Sequence, residues 1–118
     1  MPERIQRRRT RGWRMPEGAR YIGRPTRYGN PWRITQAEDG WLIVHATQPP
    51  VGPIPSRDSA DRLLLTLYRD HLDHHPELVA QARRELAGKD LACFCAVNAP
   101  CHGDLLLAAA NTPRETQP

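Results

Sequence analysis

Leu91-Ala92-Cys93-Phe94-Cys95-Ala96-Val97-Asn98-Ala99-Pro100-Cys101-His102-Gly103-Asp104 decides how this chain is read, because one short stretch holds all three cysteines, one of the five histidines and a carboxylate. Strand alternation over residues 91–95 turns Cys93 and Cys95 to one face and Phe94 to the other. Residues 96–100 have the composition of a turn. Asp104-Leu105-Leu106-Leu107-Ala108-Ala109-Ala110 reads as a helix, with residues 101–103 at or just before its first turn. Unpaired backbone N–H groups and the positive dipole end at such a start favour a thiolate at Cys101 or an anion bound beside it.

Working backwards from this stretch, residues 76–88 begin with Pro76 at a first helical position, carry Leu78, Val79, Ala82 and Leu86 at helical spacing, and stop at Gly88. Before them, Ser56 can cap a helix reaching about Leu72, with Ala60, Leu63, Leu64, Leu67, Tyr68 and Leu72 as its apolar stripe. His71, His74 and His75 stand at the end of that helix, where solvated histidines are ordinary. Residues 48–55 hold four prolines and Gly52, so they are expected to be a loop. Trp32-Arg33-Ile34-Thr35 and Gly40-Trp41-Leu42-Ile43-Val44 predict two short strands joined at Glu38-Asp39-Gly40. Ala19-Arg20-Tyr21-Ile22-Gly23 predicts another strand, followed by an ordered turn at Thr26-Arg27-Tyr28-Gly29-Asn30-Pro31-Trp32, which can present Arg24, Arg27 and Asn30 to an anion.

Strands, two helices, a strand and a final helix predict an α/β fold: a small single-domain layered sheet whose central strand carries Cys93 and Cys95, with about three helices. Residues 17–112 form the expected domain, residues 1–16 a basic, flexible arm, and residues 113–118 a disordered tail. At 118 residues the chain accommodates one domain. No apolar run approaches the roughly 18 residues that span a membrane, and no signal segment is visible. A cytoplasmic protein with reduced or metal-bound thiols is expected, since three closely spaced cysteines do not suit a disulfide framework.

Charge is unevenly spread. Residues 1–33 contain ten arginines against Glu3 and Glu17, a balance of +8, while the rest of the chain carries seven basic and eleven acidic groups, −4, for the total of +4. Arginine offers paired planar donors to phosphate oxygens, so the basic third points to a nucleotide or a nucleic acid as partner.

Three readings of the cysteine cluster follow. Cys93, Cys95, Cys101 and His102 make a complete tetrahedral donor set for zinc, and thiolates also hold iron–sulfur clusters, although Cys-x-Cys, five residues and Cys-His is not a common metal spacing. Alternatively, Cys101 is a metal-free reactive thiolate, with His102 or Asp104 moving protons. In the third, the thiols simply fill the core.

Gly23-Arg24-Pro25-Thr26-Arg27-Tyr28-Gly29-Asn30-Pro31-Trp32, together with Gly88-Lys89-Asp90-Leu91-Ala92-Cys93-Phe94-Cys95 and Pro100-Cys101-His102-Gly103-Asp104-Leu105-Leu106, resembles the domain-of-unknown-function family numbered 4326, found in actinobacteria and their phages. The resemblance covers about residues 13–111. Tyr28 and Phe94 stand where tryptophan is usual. It implies that the Gly-Asn-Pro turn and the Cys-His stretch travel together, consistent with one composite site, and it implies no reaction. The Cys-His helix start also looks like that of another family of small α/β proteins, numbered 488, an analogy of fold only.

The function expected from these features is an enzyme acting on a nucleotide or other phosphate-bearing substrate, held by Arg24, Arg27 and Asn30 and acted on by Cys101 and His102, with Asp104 orienting His102 or shuttling a proton. The alternative is a nucleic-acid-binding module with a basic arm and either a structural metal or purely structural cysteines. If the strands around Tyr21-Ile22 and Cys93 are parallel neighbours, Arg24 or Asn30 should share a pocket with Cys101 and His102.

Overall fold

Leu91 and Ala92 are fully buried and Cys93 is nearly so, as expected of a strand with neighbours along both edges and cover on both faces. The computed structural model describes residues 2–95 and 101–111. Its elements are β1 (Arg4–Gln6), β2 (Arg20–Tyr21), β3 (Trp32–Ala37), β4 (Gly40–His45), β5 (Val51–Ile54), α1 (Arg57–Asp73), α2 (Pro76–Glu85), β6 (Leu91–Cys93) and α3 (His102–Asn111). They form an α/β domain with two small sheets, ordered β1-β6-β2 and β3-β4-β5. The expected turn at residues 96–100 and tail at residues 113–118 lie outside the described residues.

Both neighbours of β6 run parallel to it. On one edge Leu91 N–H donates to Glu3 O and Arg7 N–H to Cys93 O; on the other, Arg20 N–H donates to Asp90 O and Ile22 N–H to Ala92 O. The parallel pairing expected for β2 and β6 is thus present, with α1 and α2 inside the long crossover that it needs. The arm expected over residues 1–16 requires correction, because residues 4–6 are β1. Local polarity suggested a solvated tail, but β6 offers an unpaired edge, and a buried edge left unpaired is costly.

The second sheet grows from the hairpin of β3 and β4, paired from Trp32↔His45 to Ala37↔Gly40 around Glu38-Asp39. The loop expected over residues 48–55 is also corrected: residues 51–54 are β5, antiparallel to β4 with a register irregularity between Trp41 and Ile43. Pro53 is tolerated because β5 lies at the sheet edge. Gly52 has φ +127°, and a Cβ there would sit 2.7 Å from Trp41 O, so this close approach requires glycine.

α1 joins the two sheets. The Ser56 hydroxyl accepts from Ser59 N–H at its start, and the helix packs against the hairpin sheet on one side and against α2 and α3 on the other. Tyr68 is fully buried at the centre of the core, donating through its hydroxyl to Tyr28 O at 2.7 Å. α3 packs on β6 and α2 packs on α3, and Leu78, Ala82, Leu86, Leu106 and Ala110 share one core cluster with Ile22 and Leu91.

His71 is half-buried in the last turn of α1, where burial, with His75 and His45 nearby, lowers its pKa below the ordinary 6.5. The unfolded ring therefore binds a proton before the folded one does, so this contribution is intact above about pH 6.5 and is lost as pH falls toward the lower folded value. The expected result is a lower melting temperature at pH 5.5 than at pH 7.5, with a smaller difference in His71→Gln. Equal differences in the two proteins would contradict the assignment.

Candidate functional site

The end of β6 and the start of α3 bring the three thiols together. Cys93 and Cys101 are buried and Cys95 is half-buried; their Sγ atoms all lie within 4.8 Å of one another, with Cys93 and Cys101 3.1 Å apart. β6 ends at Cys93, so Phe94 and Cys95 lie just past the expected strand, and Phe94 is 38 % exposed. Gly103 N–H donates to Cys101 Sγ at 3.4 Å.

Three thiols this close do not all ionise, because like charges disfavour one another. Hydrogen bonds from Cys101 and Cys95 hold Cys93 far below the ordinary thiol range despite its burial. The same bond to Cys93 holds Cys101 far above that range. Negative charge is therefore favoured at Cys93, the sulfur that Arg4 also reaches, whereas the helix-start argument alone expected it on Cys101.

Arg4 supplies the matching positive charge. Its side chain is only 5 % exposed and its Nε donates to Asp104 Oδ1 at 2.9 Å, while Nη1 reaches Cys93 Sγ at 3.7 Å and Cys95 O at 3.3 Å. A Cβ on Gly103 would lie 2.9 Å from Arg4 Cδ, so glycine at the start of α3 makes room for the guanidinium stem. Burial works against the charge on Arg4, but the bonds to Cys93 and Asp104 hold its pKa above the ordinary value.

His102 is oriented by a backbone carbonyl, with Nε2 3.0 Å from Ile22 O. A carbonyl only accepts, so Nε2 carries the proton. Burial lowers the pKa of the ring, and in its neutral form Nδ1 keeps a lone pair, 3.6 Å from Cys101 Sγ. Tyr68 packs edge-on against the ring, with centroids 5.0 Å apart.

A cavity of about 700 Å³ opens beside this cluster and is lined by Cys93, Cys95, Cys101, His102, Arg24 and Asn30, and by Arg7, Arg9, Arg33 and Arg57. At its rim the Arg7 guanidinium lies 4.5 Å from the Tyr21 ring centroid and that of Arg9 4.3 Å from the Phe94 centroid. Residues 5–112 match the family model described as Domain of unknown function (DUF4326). The chain belongs to the DUF4326 family. No curated protein and no solved structure matches it.

In this DUF4326 chain, Arg24, Asn30, Cys101 and His102 share one cavity. Arg24 Nη1 donates to the carbonyls of Asn30 and Trp32. Asn30 accepts from Trp32 N–H at 3.0 Å and donates to Leu64 O at 3.4 Å, so it braces the cavity wall. Arg27 is not brought there: it donates to Gln81 and lines a second cavity with Tyr28 and Glu85. Asp104 lies against Arg4 rather than orienting His102, whose partner is Ile22 O. The only metal-capable group among the described residues is the cysteine trio; neither His102 nor the His71, His74 and His75 group belongs to it.

Sequence reasoning missed Arg4, Arg7 and Arg9 as parts of the site, and Arg33 and Arg57 as lining residues. The alternation of Arg4-Ile5-Gln6 was the available signal for the first of these. No helix among the described residues is long and apolar enough to cross a membrane.

Asn30→Asp keeps an acceptor for Trp32 N–H but sets a carboxylate oxygen against Leu64 O in a buried position. A stability loss of about 1–3 kcal/mol is expected from denaturant unfolding. An unchanged midpoint would show that Asn30 does not brace this wall.

Proposed function

We propose that this DUF4326 chain is an enzyme acting on a nucleotide or another phosphate-bearing substrate in the 700 Å³ cavity. One observation carries the reading: guanidinium groups and a thiol–imidazole cluster line the same cavity. Arg7, Arg9, Arg33 and Arg57 supply the cationic wall, and guanidinium groups bind phosphate oxygens through paired donors. Tyr21 and Phe94 at the rim offer aromatic faces to a nucleobase.

In the cluster, the lone pair on His102 Nδ1 lies beside Cys101 and is the group that accepts a proton in the cavity, with Ile22 O fixing the ring and its tautomer. Arg4 holds negative charge on Cys93, and Asp104 anchors Arg4. Asn30 and Arg24 keep the opposite wall in place. These roles assign binding to the arginines and proton or thiol chemistry to the cysteines and His102.

Turnover and thermal-shift binding on a panel of nucleotides and sugar phosphates test the reading. The expected result is one substrate class that raises the melting temperature of the wild type and is turned over, with Cys101→Ser and His102→Gln each at least about 100-fold slower while still binding it. Variants as active as wild type would overturn the catalytic assignment. A second reading, a nucleic-acid-binding module, is favoured by the exposed Arg8, Arg11 and Arg14. It requires affinity for nucleic acid that falls steeply with salt, at roughly one counterion per contacted phosphate.

A further inference from the structure

The geometry points to a mononuclear zinc-class site made by the thiolates of Cys93, Cys95 and Cys101, with its fourth position open to the cavity. Zinc–thiolate bonds of about 2.3 Å in a tetrahedron set neighbouring sulfurs about 3.8 Å apart. That edge falls between the 3.1 Å of the Cys93–Cys101 pair and the 4.8 Å that bounds the trio. An iron–sulfur cubane holds its thiolates farther apart, because the inorganic core stands between them. The spacing therefore selects a single ion, and soft thiolate donors select zinc among the common divalent ions.

The surroundings supply the second, independent observation. A divalent ion with three thiolates carries a net charge of −1, which is costly to bury without a counter-charge. Arg4, 5 % exposed, stands against Cys93 as that counter-charge, and Gly103 N–H donates to Cys101 Sγ. Such contacts orient and tune metal-bound sulfur. Binding forms three metal–sulfur bonds and releases the remaining thiol protons to solvent.

All three cysteines line the cavity, so the fourth vertex is filled from there, by water or by a donor atom of a substrate. His102 lies beside Cys101 but outside the set of three. Its exclusion from that set, and not its bond to Ile22 O, makes it a neighbour of the open position instead of a ligand. The site concerns the proposed reaction cavity, yet metal content is measured with no substrate present, so the two claims fail separately.

Elemental analysis of full-length protein purified without oxygen tests the site, followed by exchange of the bound ion for cobalt(II). One zinc per chain and cobalt–thiolate charge-transfer absorption are expected, with the cobalt visible bands shifting when imidazole is added. Cys95→Ser and Arg4→Met should each weaken zinc binding about 10–100-fold, while His102→Gln keeps one zinc. Should the variants fail to fold, stoichiometric zinc release from wild type by a thiol-blocking mercurial gives the same answer. Metal-free protein that takes up neither zinc nor cobalt, or iron with acid-labile sulfide, would overturn the site. Loss of zinc from folded His102→Gln would overturn the three-thiolate set, and cobalt bands unmoved by imidazole would overturn the open position.

Discussion

The three-residue strand β6 must be paired along both edges, and the site depends on both pairings. β6 is buried on both faces, and its amides and carbonyls reach water on neither side. β1 and β2 meet that requirement from positions far apart in the chain, through donor–acceptor pairs that include Arg7 with Cys93 and Ile22 with Ala92. Each pairing also carries a side chain to the site. The β1 pairing places Arg4 against Cys93, and the β2 pairing places Ile22 O against His102. Backbone satisfaction and site assembly are therefore one event.

Electrostatics then fixes the roles within the cluster. A buried thiolate needs a counter-charge or donors close by, and Cys93 has the guanidinium of Arg4 on one side and the Cys101 thiol on the other. Asp104, more than half exposed, holds Arg4 from the solvent side without competing for the thiols. The sequence Cys-His-Gly-Asp thus encodes four different tasks. It gives a sulfur, a ring fixed by a carbonyl, a gap through which Arg4 passes, and an anchor for Arg4.

The parts legible in the sequence were those with local periodicity or local turn chemistry. The α1 cap at Ser56, Pro76 at the start of α2, the β3–β4 hairpin and the common face of Cys93 and Cys95 all follow from spacing within a few residues. β1 was illegible because its stabilisation comes from an edge some 87 residues away, while its own composition resembles a tail. β5 was hidden by prolines that only an edge position permits. Arg24 and Arg27 looked equivalent on one turn, but three positions of displacement send them to different cavities. Asp104 seemed the natural partner of His102 by adjacency, and the fold gave that role to a backbone carbonyl instead.

Residue-resolved amide hydrogen exchange at Arg7 measures the central claim most directly, because its N–H donates to Cys93 O and is paired only if the N-terminal strand is docked on β6. Exchange at Arg7 slowed to a degree comparable with Ile22, on the opposite edge, is the predicted result. Free-chain exchange at Arg7 alongside a protected Ile22 would mean that residues 4–7 are an undocked arm, and the account of Arg4 as the counter-charge of the thiol cluster would fall with it.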